Sequence, residues 1–171
     1  MAGFFYVCSF SNLRISHPGK RIFALKQKID MEFEISDFEE RDRPELRNLY
    51  HNVKRDTFRW MGVPDNNEDT FDRDTKGEEI LVIKKGDEIA GFVSVWLPDN
   101  FIHHLYVLKQ YQRMGLGKNL VNAVRARLKG PLSLKCIEEN VSAVKFYEST
   151  GWKAKSKGIS DHGMYIVFEL K

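Results

Sequence analysis

Cysteine is scarce in this chain: Cys8 and Cys136 are the two among 171 residues, and neither stands at a metal-ligand spacing. So few thiols exclude a disulfide framework and a cysteine-type zinc site, and no metal is expected. Cys136 sits in an apolar strand pattern and reads as core rather than as a nucleophile. Long hydrophobic runs are missing as well. No stretch approaches the roughly 20 apolar residues that cross a bilayer, so a soluble, cytoplasmic protein without a membrane partner is expected. Repeats and low-complexity segments are also absent. With 42% hydrophobic and 30% charged residues, the composition fits one globular domain.

Acidic side chains are lacking from the first 29 residues. Arg14, Lys20, Arg21, Lys26 and Lys28 precede Asp30, and the rest of the chain holds 22 basic against 23 acidic residues. The net charge of +3 therefore belongs to the N-terminal segment, and the remainder has no basic footprint for nucleic acid. Residues 1–30 show no sustained periodicity after Phe10, so they read as an extension outside the folded domain. A transit peptide, an upstream start, an appended leader and a flexible arm all fit this composition. The short apolar run Phe4 to Val7 leaves room for an added strand. The domain is expected to span residues 31–171.

Two nucleotide-binding patterns fail. A P-loop requires G-x-x-x-x-G-K-[ST], but Gln112 stands five before Gly117 and Asn119 follows Lys118. The dinucleotide pattern G-x-G-x-x-G would need glycine at Leu120. What is present is Gln112-Arg113-Met114-Gly115-Leu116-Gly117, between the apolar run Phe101 to Leu108 and the helical pattern Lys118 to Leu128. A strand, a glycine turn and a helix in succession leave several N–H groups without intrahelical acceptors at the helix mouth, which is a geometry that holds phosphate.

The surrounding elements follow from periodicity and punctuation. Met31 to Ile35 alternates as a half-buried strand, and Asp42-Arg43-Pro44-Glu45 reads as a helix start with Leu46, Leu49, Tyr50 and Val53 on one face. Asp65 to Asp74 reads as a loop or a short second helix. Ile80 to Ile83 and Ile89 to Leu97 form a hairpin around Lys85-Gly86-Asp87. After the glycine-turn helix, Gly130-Pro131 stops the chain, Leu132 to Ile137 is a strand, and Asn140 caps a helix through Ser149 that Gly151 ends. Trp152 to Lys157 and Met164 to Leu170 close as an antiparallel pair around Gly158 to Gly163. Strict alternation would put Ile102 and Leu105 on opposite faces although both look like core, and a bulge would reconcile them.

The glycine turn matches [Q/R]-x-x-G-x-[G/A] and resembles the coenzyme A pyrophosphate loop of the GNAT superfamily of acetyl-CoA-dependent N-acetyltransferases. Asn140 to Tyr147 resembles that family's N-x-x-A-x-x-F-Y helix, followed by Gly151-Trp152 as its G-[FW]. The resemblance covers residues 31–171. It implies an α/β (α+β) fold, with a mixed, mostly antiparallel sheet of about seven strands splayed at a bulge and helices on both faces. It also implies acetyl-CoA as donor, a primary amine of a small molecule or peptide as acceptor, and direct attack without an acyl-enzyme. A monomer or homodimer is expected.

By the same resemblance, the strand residues Leu105, Tyr106 and Val107, the turn residues Gln112, Arg113, Met114, Gly115, Leu116, Gly117 and Lys118, and Asn140, Ala143 and Phe146 would bind the cofactor. Phe58, Trp60, Met61, Phe71 and Trp96 would shape the acceptor pocket, and Asp65, Glu68, Asp69, Asp72 and Asp74 could form an acidic rim for a cationic amine. Tyr147 has two readings, core packing beside Phe146 or, with a reference pKa of about 10, the acid that protonates the CoA thiolate. His103 and His104 are candidates for the base, since a reference pKa of about 6.5 leaves imidazole partly neutral. Alternation would send them to opposite faces, so at most one would line the site. Family members often carry a glutamate on or near this strand. Its absence leaves Glu34 and Asp99 as weaker options, and leaves an acyl-CoA-binding sensor or partner-binding module as the alternative to an enzyme.

Overall fold

The computed structural model describes residues 27–29, 32–57 and 70–171. Its elements are β1 (Gln27–Ile29), β2 (Phe33–Asp37), α1 (Arg43–Thr57), α2 (Thr70–Asp74), β3 (Glu79–Lys85), β4 (Glu88–Trp96), β5 (Phe101–Val107), α3 (Leu116–Arg127), β6 (Leu132–Ile137), α4 (Val141–Ser149), β7 (Lys153–Ser160) and β8 (Gly163–Leu170). The strands form one mixed sheet in the order β1-β2-β3-β4-β5-β6-β8-β7. Of its neighbouring pairs, β5–β6 is parallel and the others are antiparallel.

The sequence anticipates about seven strands, and the additional one is β1. Gln27–Ile29 pairs with β2 from Gln27↔Ile35 to Ile29↔Phe33, so the sheet reaches into the segment read as an extension. Three residues are too few to show a period, which is why the strand is invisible in the sequence.

Each face of the sheet carries its own core. Leu81, Ile83, Val93, Ile102, Leu105 and Val107 pack with Leu116, Leu120, Val121 and Val124 of α3. On the opposite face, Ile80, Val82, Phe92 and Tyr106 meet Leu46, Leu49, Tyr50 and Val53 of α1, the i, i+3, i+4, i+7 stripe of an amphipathic helix. Central strands are buried on both faces and read as near-continuous apolar runs. The α1 start differs in detail from the expected cap. A short 3-10 turn, Glu40–Asp42, precedes it, the Glu39 N–H donates to Asp42 Oδ2 at 3.2 Å, and Glu45 Oε1 instead accepts the Ile89 N–H at 2.7 Å.

The turn between β4 and β5 ties two parts of the chain. Asn100 adopts a left-handed conformation (φ 49°), its carbonyl accepts the Ser133 N–H at 3.1 Å, and its side-chain Nδ2 donates to the Lys129 carbonyl at 2.8 Å. Gly91 on β4 fixes the approach of β5. A Cβ there would stand 2.4 Å from the Tyr106 carbonyl oxygen and 3.1 Å from Val107 Cα, both backbone atoms. Gly91→Ala is therefore expected to push β5 away and destabilise the protein by about 2 kcal/mol, read as a lower urea midpoint at unchanged m-value.

Candidate active site

The site begins with one extra residue. Along β4 and β5 the register runs Ser94↔His104 and then Val95↔Ile102, so His103 has no partner on β4. This bulge places Ile102 and Leu105 in the same core, as their apolar character requires. Pairing of β5 with β6 covers Phe101↔Ser133 and Ile102↔Leu134 and stops at the bulge, while β6 continues along β8 from Leu132 to Ile137. A wedge thus opens between β5 and β6 at His103.

The backbone of β5 faces this wedge at alternate residues. The Leu108 N–H donates to the Ala90 carbonyl at 2.9 Å, toward β4, while the Val107 carbonyl accepts from Gln112 Nε2 at 3.0 Å. Leu105 shares the parity of Val107. Tyr106 does not. Its carbonyl points at Gly91 of β4, and its fully buried ring stacks on Tyr50 at 5.6 Å, so neither belongs to the expected cofactor set.

At the far end of the wedge lies the glycine turn. Arg113 (φ 67°) and Gly115 (φ 81°) are both left-handed, and Gly115 caps α3 without a side chain. The Asn119 N–H bonds to the Gly115 carbonyl at 3.0 Å, so the N–H groups of Leu116, Gly117 and Lys118 precede the first turn's acceptors. The Leu116 side chain is core, and Gly117 is buried. Arg113 and Lys118 are exposed beside the turn, with Met114 49% exposed. Open N–H groups at a helix mouth, with positive charge at the rim, are a geometry that suits an anion.

The α4 helix borders the other side. Asn140 Oδ1 accepts the Ala143 N–H at 3.2 Å as an N-cap, while Asn140 Nδ2 is buried with no hydrogen-bond partner among the described residues. Phe146 is partly buried against the core. Tyr147 is fully buried among Phe146, Trp152 and Phe168, and its hydroxyl likewise lacks a hydrogen-bond partner among the described residues. Burial, with Cys136 adding to it, raises the Tyr147 pKa well above the ordinary phenol value, so this hydroxyl holds its proton. Cys136 is buried in the core, as its strand pattern suggests, and its thiol donates to the Ile137 carbonyl at 3.5 Å.

The two histidines do not diverge. Because His103 is the bulged residue, its ring turns to the side of His104, and both approach one carboxylate, Glu78, just before β3. His103 Nδ1 hydrogen-bonds Glu78 Oε1, and His104 Nδ1 lies 3.8 Å from Glu78 Oε2, too far for a hydrogen bond. The Glu78 side chain is 3% exposed. Burial pushes its pKa up, but the imidazoles, His103 foremost, outweigh burial and bring it down to about 2. His104 is fully buried, meets Ser94 Oγ through Nδ1 at 2.7 Å, and is enclosed by Tyr50, Phe92 and Tyr106. The His103 side chain is 21% exposed and packs on Phe101 at 4.8 Å. Glu78 supplies the carboxylate that the strand itself lacks. Glu34 is on β2, separated from β5 by two strands, and Asp99 is exposed in the turn before β5.

On the acceptor side the structure moves several expected residues. Phe71 is fully buried against Tyr50 and Phe92, so it is core and cannot line a pocket. Asp72 is bound by Arg43 and Arg47, and Asp74 accepts from the Tyr50 hydroxyl at 2.5 Å and faces Arg73, so these two carboxylates are already neutralised. Trp96 is half-buried, and its Cζ3 would be 3.4 Å from a Cβ on Gly77, beside Glu78. Phe58, Trp60, Met61, Asp65, Glu68 and Asp69 lie outside the described residues.

Several solved structures share this architecture. Apo YjaB from Escherichia coli is 17% identical with a TM-score of 0.67, covering 81% of this chain and 97% of that one. The ribosomal-protein-S18-alanine N-acetyltransferase from Escherichia coli is 21% identical (TM-score 0.62; 81% and 92% covered). The yncA protein from Salmonella typhimurium, crystallised with its cofactor acetyl-CoA, is 16% identical (TM-score 0.63; 82% and 94% covered). At these identities the likeness is one of fold. Comparison with curated proteins gave no match. The model of the acetyltransferase (GNAT) family, however, matches residues 35–152, more than half of the chain. The wedge, the glycine turn and this match together make the chain a member of the GNAT acetyltransferase family.

Proposed function

We propose that the protein transfers an acetyl group from acetyl-CoA to a primary amine of a small molecule or peptide, by direct attack within a ternary complex. The observation that carries this reading is the wedge at the His103 bulge, which runs into a left-handed glycine turn with open N–H groups. In this reading, the backbone of Leu105 and Val107 receives the acetyl-pantetheine arm as a substitute strand. The turn from Gln112 to Lys118 holds the pyrophosphate, and the Asn140 Nδ2 left unpaired by the cap donates to the arm. Neutral amine nitrogen attacks the thioester carbon, and the C–S bond breaks as the tetrahedral intermediate collapses. The departing thiolate takes the Tyr147 proton, which is replaced by the proton the new amide nitrogen sheds.

The sensor alternative arose from the missing strand glutamate. Glu78 beside both histidines places a carboxylate near the strand, which supports an enzyme over that alternative.

Thiol release from acetyl-CoA in the presence of a polyamine, an aminoglycoside, an amino acid and a peptide with a free amino terminus tests the reading. Turnover with at least one amine is expected, and binding of acetyl-CoA without release across such a panel would sink it. For Tyr147→Phe, a fall in kcat of about 100-fold is expected with acetyl-CoA affinity kept. Since the hydroxyl is buried and unpartnered, the same variant should be no less stable than the native protein; unchanged turnover would reduce Tyr147 to packing. Gly115→Ala puts a Cβ into a left-handed turn already formed without ligand, so a loss of about 1 kcal/mol of folding stability is expected by urea denaturation.

A further inference from the structure

Resting on that reading, we infer that Glu78 is the positioning residue of the reaction, fixing the His103 imidazole with its proton on Nδ1 so that Nε2 serves as the base for the acceptor amine. Three geometric facts separate the two histidines. His103 Nδ1 is committed to Glu78 Oε1, which leaves Nε2 on the opposite edge of the ring. His103 is also the bulged residue where β5 leaves β6, and its side chain is partly exposed there. His104 is fully buried, and its Nδ1 is committed to Ser94. His104 is enclosed by Tyr50, Phe92 and Tyr106, whereas His103 reaches the surface at the bulge.

The proton steps balance. The ammonium form of the acceptor gives one proton to His103 Nε2, forming an imidazolium whose Nδ1–H remains on Glu78. The neutral amine then attacks, and His103 returns its proton to solvent after product leaves. Glu78 stays ionised throughout, in keeping with a carboxyl held at about 2, and stabilises the transient cation across a hydrogen bond. Among the described residues, the other polar groups near this cluster, Ser94 on β4 and Tyr50 on α1 with its Asp74 partner, contact His104 rather than His103. Glu78 is therefore the group that sets the His103 tautomer.

The tautomer can be read without any acceptor. Long-range proton–nitrogen NMR spectra of the full chain at pH 8 should show His103 protonated at Nδ1 with a bare Nε2. In Glu78→Gln that preference should vanish while acetyl-CoA binding persists. With whichever amine of the panel turns over, Glu78→Gln and His103→Ala should each lower kcat about 100-fold with the KM for acetyl-CoA unchanged, and Glu78→Asp should recover part of the loss. A native His103 protonated at Nε2 would overturn the inference, as would full activity in His103→Ala with activity lost in His104→Ala. If no amine turns over, the acetyl-transfer reading falls, and the tautomer spectrum still decides the role of Glu78.

Discussion

The site depends on a conflict of parity in β5. A strand buried on both faces assigns each residue to a side by a period of two, and Ile102 and Leu105 are three apart yet belong to the same core. One unpaired residue resolves the conflict, and the structure inserts it at His103. Everything chemical follows from that insertion. The bulge ends hydrogen bonding to β6, opens backbone groups that a continuous sheet would consume, and swings a histidine toward a carboxylate carried by another segment. The packing of hydrophobic side chains thereby dictates where a polar site forms.

That polar site sits in surroundings that would otherwise reject it. An isolated carboxylate as buried as Glu78 would favour its neutral form. The adjacent imidazoles reverse the preference, and Ser94 holds His104 at the same Nδ1 that faces Glu78. Buried charge persists where its partners are fixed by packing, and here Tyr50, Phe92 and Tyr106 fix His104. The charges joining α1 to α2 are of another kind: Arg43 and Arg47 reach Asp72 at the partly exposed surface, where ion pairs contribute little to stability.

Element order, the glycine turn, the Asn140 cap and the bulge were legible because each leaves a local signature, whether periodicity, punctuation or an incompatible pair of apolar positions. The role of Glu78 was not. It stands 25 positions from His103, in a charged stretch, Lys76 to Glu79, that reads as solvated surface. Phe71 and Tyr106 were misassigned for a related reason. An aromatic residue near a motif suggests a ligand, but which face it turns to is settled by α1, whose Tyr50 receives both rings. The charge of Asp72 and Asp74 was likewise visible, whereas their arginine and tyrosine partners on α1 were not.

The short contact between β5 and β6 has a mechanical meaning. Two register pairs, with the Asn100 clasp on Ser133 and Lys129, join the β1–β5 portion of the sheet to the β6-β8-β7 portion. Under the proposed acetyl-CoA reading, a ligand lying along the wedge would take up hydrogen bonds that the sheet forgoes there and act as a missing rung between two half-sheets, so the cohesion of the protein would rise with occupancy.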